Sequence, residues 1–124
     1  MSENETHRPL GGRRLVVTRP RRQGGLLAAK LEALGAEVLL APTIRIEPPE
    51  NPAPLDDAIH ASKSGKYDWI VFTSVNAVEA FFGRAAEAPN AHYAAIGPAT
   101  AEALETRGLN ADIVPGRHVA EDVF

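Results

Sequence analysis

The chain has 124 residues, of which 44% are hydrophobic and 23% charged, enough for a compact domain and too apolar for a disordered segment. It contains no cysteine, which removes disulfide frameworks, thiolate nucleophiles and cysteine-bound metals, and fits a cytoplasmic setting. Its net charge of -3 opposes a general nucleic-acid binder, and no stretch approaches a signal peptide or a membrane span, so neither nucleic acid nor membrane is expected as a partner.

Residues 1–12 combine Ser, Asn, Pro and Gly with charge and read as a disordered tail. Leu15, Val16 and Val17 form a β-branched run that stops at Thr18-Arg19-Pro20, the signature of a strand followed by a loop. From Gly25 the apolar positions Leu26, Leu27, Ala29, Leu31 and Leu34 recur at helical spacing, and Gly35 stands where a left-handed cap is wanted. Val38-Leu39-Leu40 and Ile44-Arg45-Ile46 read as two extended pieces hinged at Pro42. The stretch from Glu47 to Pro54 holds four of the ten prolines, which marks a linker or an edge.

Leu55 to Lys63 predicts a short amphipathic helix ending near Gly65. Trp69-Ile70-Val71-Phe72 is a continuous apolar run, the pattern of a strand covered on both faces and placed centrally in a parallel sheet. Thr73-Ser74-Val75-Asn76 then opens a helix carrying Val78, Ala80, Phe81 and Phe82, with a Ser or Asn side chain ready to cap it. Tyr93 to Ile96 repeats the arrangement, followed by Gly97-Pro98-Ala99-Thr100 and a helix over Ala101 to Arg107 that Gly108 ends. Ala111 to Val114 predicts another strand, and Val119, Val123 and Phe124 begin a further helix.

Strands and helices alternate, which predicts an α/β fold with a parallel sheet flanked by helices. In such sheets ligands sit beyond the carboxyl ends of the strands, where helix N-termini present unpaired backbone donors and partial positive charge. Three such ends occur: Thr18 to Arg21, Thr73 to Asn76, and Gly97 to Thr100. Each bears a hydroxyl and no carboxylate, which suits an anionic ligand.

Other chemistries on this architecture find no support. A phosphoacceptor receiver needs acidic residues at the ends of its first and third strands, where this chain has Thr18-Arg19 and Thr73-Ser74. The glycines after the first strand fit neither a dinucleotide fingerprint nor a phosphate-binding loop. His7, His60, His92 and His118 are scattered, without metal-ligand spacing. Among the basic residues Arg13 and Arg14 read as solvated charge, whereas Arg19 stands at a strand's carboxyl end, where its planar guanidinium could take a carboxylate in two-pronged geometry. Ser74, Asn76 and Thr100 serve equally as helix caps, which would still orient the nearby amides.

The segments Val16-Val17-Thr18-Arg19-Pro20, Ala41-Pro42-Thr43-Ile44-Arg45-Ile46, Tyr67 to Val78, and Ala95 to Leu104 together resemble uroporphyrinogen-III synthases, in order and at compatible spacing. The resemblance implies two flavodoxin-like α/β domains joined by extended linkers, with the active site in the cleft between them. On that pattern residues 13–36 open a discontinuous first domain, 37–47 form a linker strand, and 48–124 form part of the second domain. Family members run to about twice this length, so the chain is expected to be a truncated, N-terminal part that is inactive alone, its C-terminal half lying in the same or a second chain.

The reaction implied is a lyase reaction. The linear tetrapyrrole hydroxymethylbilane loses its terminal hydroxyl as water and closes to uroporphyrinogen III, with inversion of ring D through a spiro intermediate and without metal or organic cofactor. Thr18, Arg19, Ser74, Asn76, Gly97 and Thr100 are the expected substrate-binding residues. No general acid is assigned. The tyrosine proposed for that role in the family would lie in the absent half, so neither Tyr67 nor Tyr93 takes it. A non-catalytic ligand-binding or regulatory module of the same fold, and an interaction domain pairing through an exposed sheet edge, stay open as alternatives.

Overall fold

The structure is a computed structural model that describes residues 8–117. The chain divides into two compact units, Met1–Glu47 and Pro48–Phe124. Among the described residues each unit holds one two-stranded parallel sheet, and the order of elements is strictly alternating.

In the first unit β1 (Arg14–Val17) pairs in parallel with β2 (Glu37–Leu40), joined by the crossover helix α1 (Arg21–Ala33). The register sets Leu15 against Val38 and Val17 against Leu40. Side chains alternate faces along a strand, so Val17 is buried while Val16 and Leu39 are exposed. Helix α1 begins at Arg21, one turn ahead of the Gly25 start expected from the sequence, because Pro20 presets a backbone suited to helix entry. Its inner face is lined by Gly24 and Ala28 rather than by the leucines, and Leu26 is 72% exposed. Gly24 lets the helix lie close on the sheet: a Cβ there would stand 3.4 Å from both Val17 Cγ1 and Leu40 Cδ2.

Three sequence expectations change here. Residues 8–12 belong to no free tail: Leu10 N–H donates to Leu34 O at 3.0 Å and Arg13 N–H to Leu10 O at 3.0 Å, docking a turn on the end of α1. Residues 37–40, expected to open a linker strand, are paired with β1 as β2. Ile44-Arg45-Ile46 lies outside any strand, since Pro42 interrupts the ladder's donors, and both isoleucines are exposed.

In the second unit α2 (Ala53–Lys63) precedes β3 (Trp69–Phe72), α3 (Val75–Arg84), β4 (His92–Ala95) and α4 (Pro98–Glu105). Strands β3 and β4 pair in parallel, Trp69 opposite His92 and Phe72 opposite Ala95. The core gathers Ile59, Phe72, Val78, Phe81, Ala85, Tyr93, Ala95 and Leu104, in which Val78 and Leu104 are completely buried. Aromatic geometry supplies its specificity. Phe72 meets Phe81 edge-on at 5.4 Å and lies parallel to Tyr93 at 6.4 Å.

Among the described residues the central strand is β4, not β3. A bridge between Ala94 and Ile113 places β4 between β3 and the segment around Ile113, and Tyr93, Ala94 and Ala95 are buried while Trp69 and Val71 stay exposed. The strand expected over Ala111 to Val114 is reduced to that single bridge, secured by Asp112, whose carboxylate accepts Tyr93 N–H at 2.8 Å. The helix expected from Val119 lies outside the described residues.

Candidate functional site

The second unit brings two of the three expected turns to one end of one sheet. Because β3 and β4 run parallel and in register, Phe72 and Ala95 finish side by side, and Ile96 N–H still donates to Phe72 O at 2.9 Å beyond the last strand pair. Both chains then turn directly into helices, α3 and α4, whose first amides lie ahead of the hydrogen-bonded ladder.

The two turns are built differently. Ser74 is the N-cap of α3 in extended conformation, and its hydroxyl accepts Ala77 N–H at 3.1 Å. Thr73 next to it is exposed, and Asn76, half-buried in the first turn, has a polar contact of its own. Gly97 is the N-cap of α4 with φ of 87°, a conformation that costs a side-chain-bearing residue heavily, and it has no side chain with which to cap. Pro98 follows at the first helical position, where its missing donor leaves nothing unsatisfied. The first bond of the helix runs from Ala101 N–H to Gly97 O at 3.2 Å, so the amides of Ala99 and Thr100 precede it.

Thr100 sits differently from the sequence expectation. It is not a cap: it is the third residue of α4 and only 4% exposed, packed in the first turn. Of the candidates in this unit, Gly97 is likewise buried, whereas Ser74 and Asn76 are half-buried.

Thr18 and Arg19 form the third turn, in the first unit, and both are exposed. Helix α1 opens there with Pro20 as N-cap and no side-chain cap bond; its first turn carries Arg21 and Arg22 and no acidic residue. Three arginines beside the positive end of a helix make this turn strongly electropositive. Two positions that sequence reasoning passed over hold its backbone. Thr43 donates to Thr18 O from its amide and its hydroxyl, and Gly24 leaves room for Arg19 O. A hydroxyl residue directly after a proline that ends a strand was the available signal for Thr43.

The titratable groups with shifted behaviour lie away from the turns. Tyr93 is buried, its hydroxyl donates to Pro89 O at 2.6 Å, and burial pushes its pKa above 10.0. Its ring and hydroxyl are engaged in the core. The paired hydrogen bonds from Arg84 to Asp56, both at 2.6 Å, hold the Asp56 carboxyl below its ordinary 3.8. Among the described residues no group of three or more His, Cys, Asp or Glu could hold a metal ion, and no helix is long and apolar enough to cross a membrane.

The fold and these turns define an α/β protein that presents helix N-termini at the carboxyl ends of parallel strands. Comparison with known proteins narrows that class. The family model described as uroporphyrinogen-III synthase HemD matches residues 26–124. A uroporphyrinogen-III synthase of Synechococcus elongatus is 38% identical over 122 residues, covering 93% of this chain and 45% of the relative. A porphyrin biosynthesis protein HemD of Ruminiclostridium josui is 36% identical over 126 residues, covering 91% of this chain and 24% of the relative. The chain belongs to the uroporphyrinogen-III synthase family, and it spans less than half the length of these two relatives.

Proposed function

We propose that this chain forms part of a uroporphyrinogen-III synthase, a lyase that closes hydroxymethylbilane to uroporphyrinogen III with loss of water and inversion of ring D, and that its strand-tip turns bind the substrate's carboxylates. The observation that carries the reading is the pair of neighbouring turns after β3 and β4, which set two helix N-termini at one sheet end inside the family-matched segment. A tetrapyrrole chain bears acetate and propionate groups along its length. Amides fixed at such turns satisfy carboxylates without reorganisation, which is how a flexible chain is held against spontaneous closure at the wrong carbon.

In this reading Ser74 and Gly97 shape the backbone that meets the ligand, with Asn76 beside the first turn and the Thr100 amide within the second. Thr18 and Arg19, in the first unit, are substrate-binding residues in their own right, Arg19 through a two-pronged contact with a carboxylate. The architecture is flavodoxin-like, with residues 13–36 and 48–124 belonging to two different domains of the complete enzyme. The absence of cysteine supports a cytoplasmic setting. The relatives are more than twice as long, so the complete activity is proposed for a protein of that length and not for this chain alone.

The test is to incubate the chain with hydroxymethylbilane, alone and together with the C-terminal half of the Synechococcus elongatus relative, and to resolve the type I and type III ring isomers. The chain alone should give only type I, the uncatalysed product. The mixture should give type III, and Arg19→Ala should lower its kcat/KM about tenfold, the scale of one charge-assisted hydrogen bond. Type III from the chain alone would overturn the need for a second half. Type I alone from a folded mixture would favour the non-catalytic ligand-binding module.

A further inference from the structure

The turn after β1 carries three arginines, and α1, like α4, has no side-chain cap. The turn's support comes from further along the chain. Beyond the last β1–β2 pair, Ala41 N–H donates to Val17 O at 2.9 Å; Pro42 has no donor; then Thr43 donates twice to Thr18 O, from its amide at 3.2 Å and from its hydroxyl at 3.3 Å. Both acceptor sites of that carbonyl are thereby used.

A trans peptide holds its C=O and N–H antiparallel, and the chain has no cis peptide among the described residues. Fixing Thr18 O therefore fixes the direction of the Arg19 N–H, which points away from Thr43. The next carbonyl is located as well. A Cβ at position 24 would come within 3.2 Å of Arg19 O, so the absence of a side chain at Gly24 lets that carbonyl settle against α1. Arg19 is flanked by two positioned peptide planes, although its side chain is exposed.

We propose that Thr43 is a positioning residue for the Thr18–Arg19 turn: by holding the Thr18 carbonyl it aims the Arg19 amide and sets the base of its guanidinium toward a ligand carboxylate. This rests on the proposed carboxylate binding at the same turn. Thr43 itself touches no ligand. Its hydroxyl adds the second of the two donors, so removing the hydroxyl loosens the turn without releasing it.

The experiment uses the 15N-labelled chain and the octacarboxylate uroporphyrin III as probe, following the Arg19 amide resonance through a titration. Thr43→Val keeps the amide donor and the branched shape but deletes the hydroxyl. It should move the Arg19 resonance in the free chain and weaken the probe's affinity there about fivefold, the scale of one neutral hydrogen bond. Thr43→Ser should restore both, and the urea midpoint should stay the same in all three proteins, which separates positioning from stability. If the original chain shows no probe-dependent shift at Arg19, the ligand role of this turn is wrong and the inference falls with it. If the shift is present but Thr43→Val leaves resonance and affinity unchanged, the inference alone is overturned.

Discussion

The two units repeat one scheme, strand then turn then helix, yet they hold their turns by different means. In the second unit the turns after β3 and β4 stand on an aromatic core, and each is fixed locally, one by the Ser74 hydroxyl and one by the positive φ of Gly97. In the first unit the sheet has one exposed apolar face, α1 begins without a side-chain cap, and the turn is held from outside by Thr43. Packing determines the geometry where a core exists; backbone hydrogen bonds determine it where the core is thin. The arginine-bearing turn is thus the one that draws support from a residue outside itself.

Truncation in the two units should separate them most widely. Leu104→Ala removes a completely buried side chain from the second unit and should destabilise it by about 3 kcal/mol, whereas Val16→Ala on the exposed face of β1 should change stability by less than about 0.5 kcal/mol. Urea unfolding followed by Trp69 fluorescence reads the first, and circular dichroism reads the second. Equal losses would erase the distinction between a packed and a thin unit.

The caps sharpen the same contrast at smaller scale. Gly97→Ala places a side chain at φ of 87° and should cost about 2 kcal/mol. Ser74→Ala removes the bond to Ala77 N–H and should cost about 1 kcal/mol, with Ser74→Asp recovering most of it. Pro20→Ala at the N-cap of α1 removes no side-chain bond but frees a preset φ, and should cost about 0.5 kcal/mol. A loss at Pro20 matching that at Ser74 would mean that the first turn has a local support the hydrogen bonds do not reveal.

Periodicity carried most of the architecture. The strand at Leu15, the helices over Ala53–Lys63 and Val75–Arg84, and the parallel pairing all follow from apolar spacing and from the glycines and prolines between them. The rank of the strands did not. Trp69 to Phe72 is the most apolar run, but an apolar run states only that burial is favourable; which strand lies between two others depends on partners far along the chain, here Ile113 bonded to Ala94. Thr100 escaped for a related reason. Local spacing marks a hydroxyl near a helix start, whereas its burial depends on the direction in which α4 leaves Gly97. The hold of Thr43 on Thr18 is likewise a contact across 25 positions: the hydroxyl after Pro42 marks a donor, but its acceptor is set only by the fold.

The smallest expected effect concerns how α2 and α3 are joined in the second unit. Asp56 lies in the first turn of α2 and Arg84 in the last turn of α3, each at the helix end its charge favours, and the two are joined by paired hydrogen bonds at 2.6 Å. The bond from Arg84 holds the Asp56 carboxyl below its ordinary 3.8, so the folded chain binds that proton less readily than the unfolded one. The contribution is therefore fully present above the unfolded value and is lost as pH falls through the lower folded value. Both side chains are substantially exposed, so solvent screens the pair and its effect is modest. Comparing urea midpoints of the original chain and Asp56→Asn should show the original ahead near neutral pH and the gap closing as pH drops below 3.8. Added salt should narrow the gap at neutral pH as well. A gap that widens in acid would mean that Arg84 does not govern this carboxylate, and that α2 is held on the core by Ile59 and its neighbours alone.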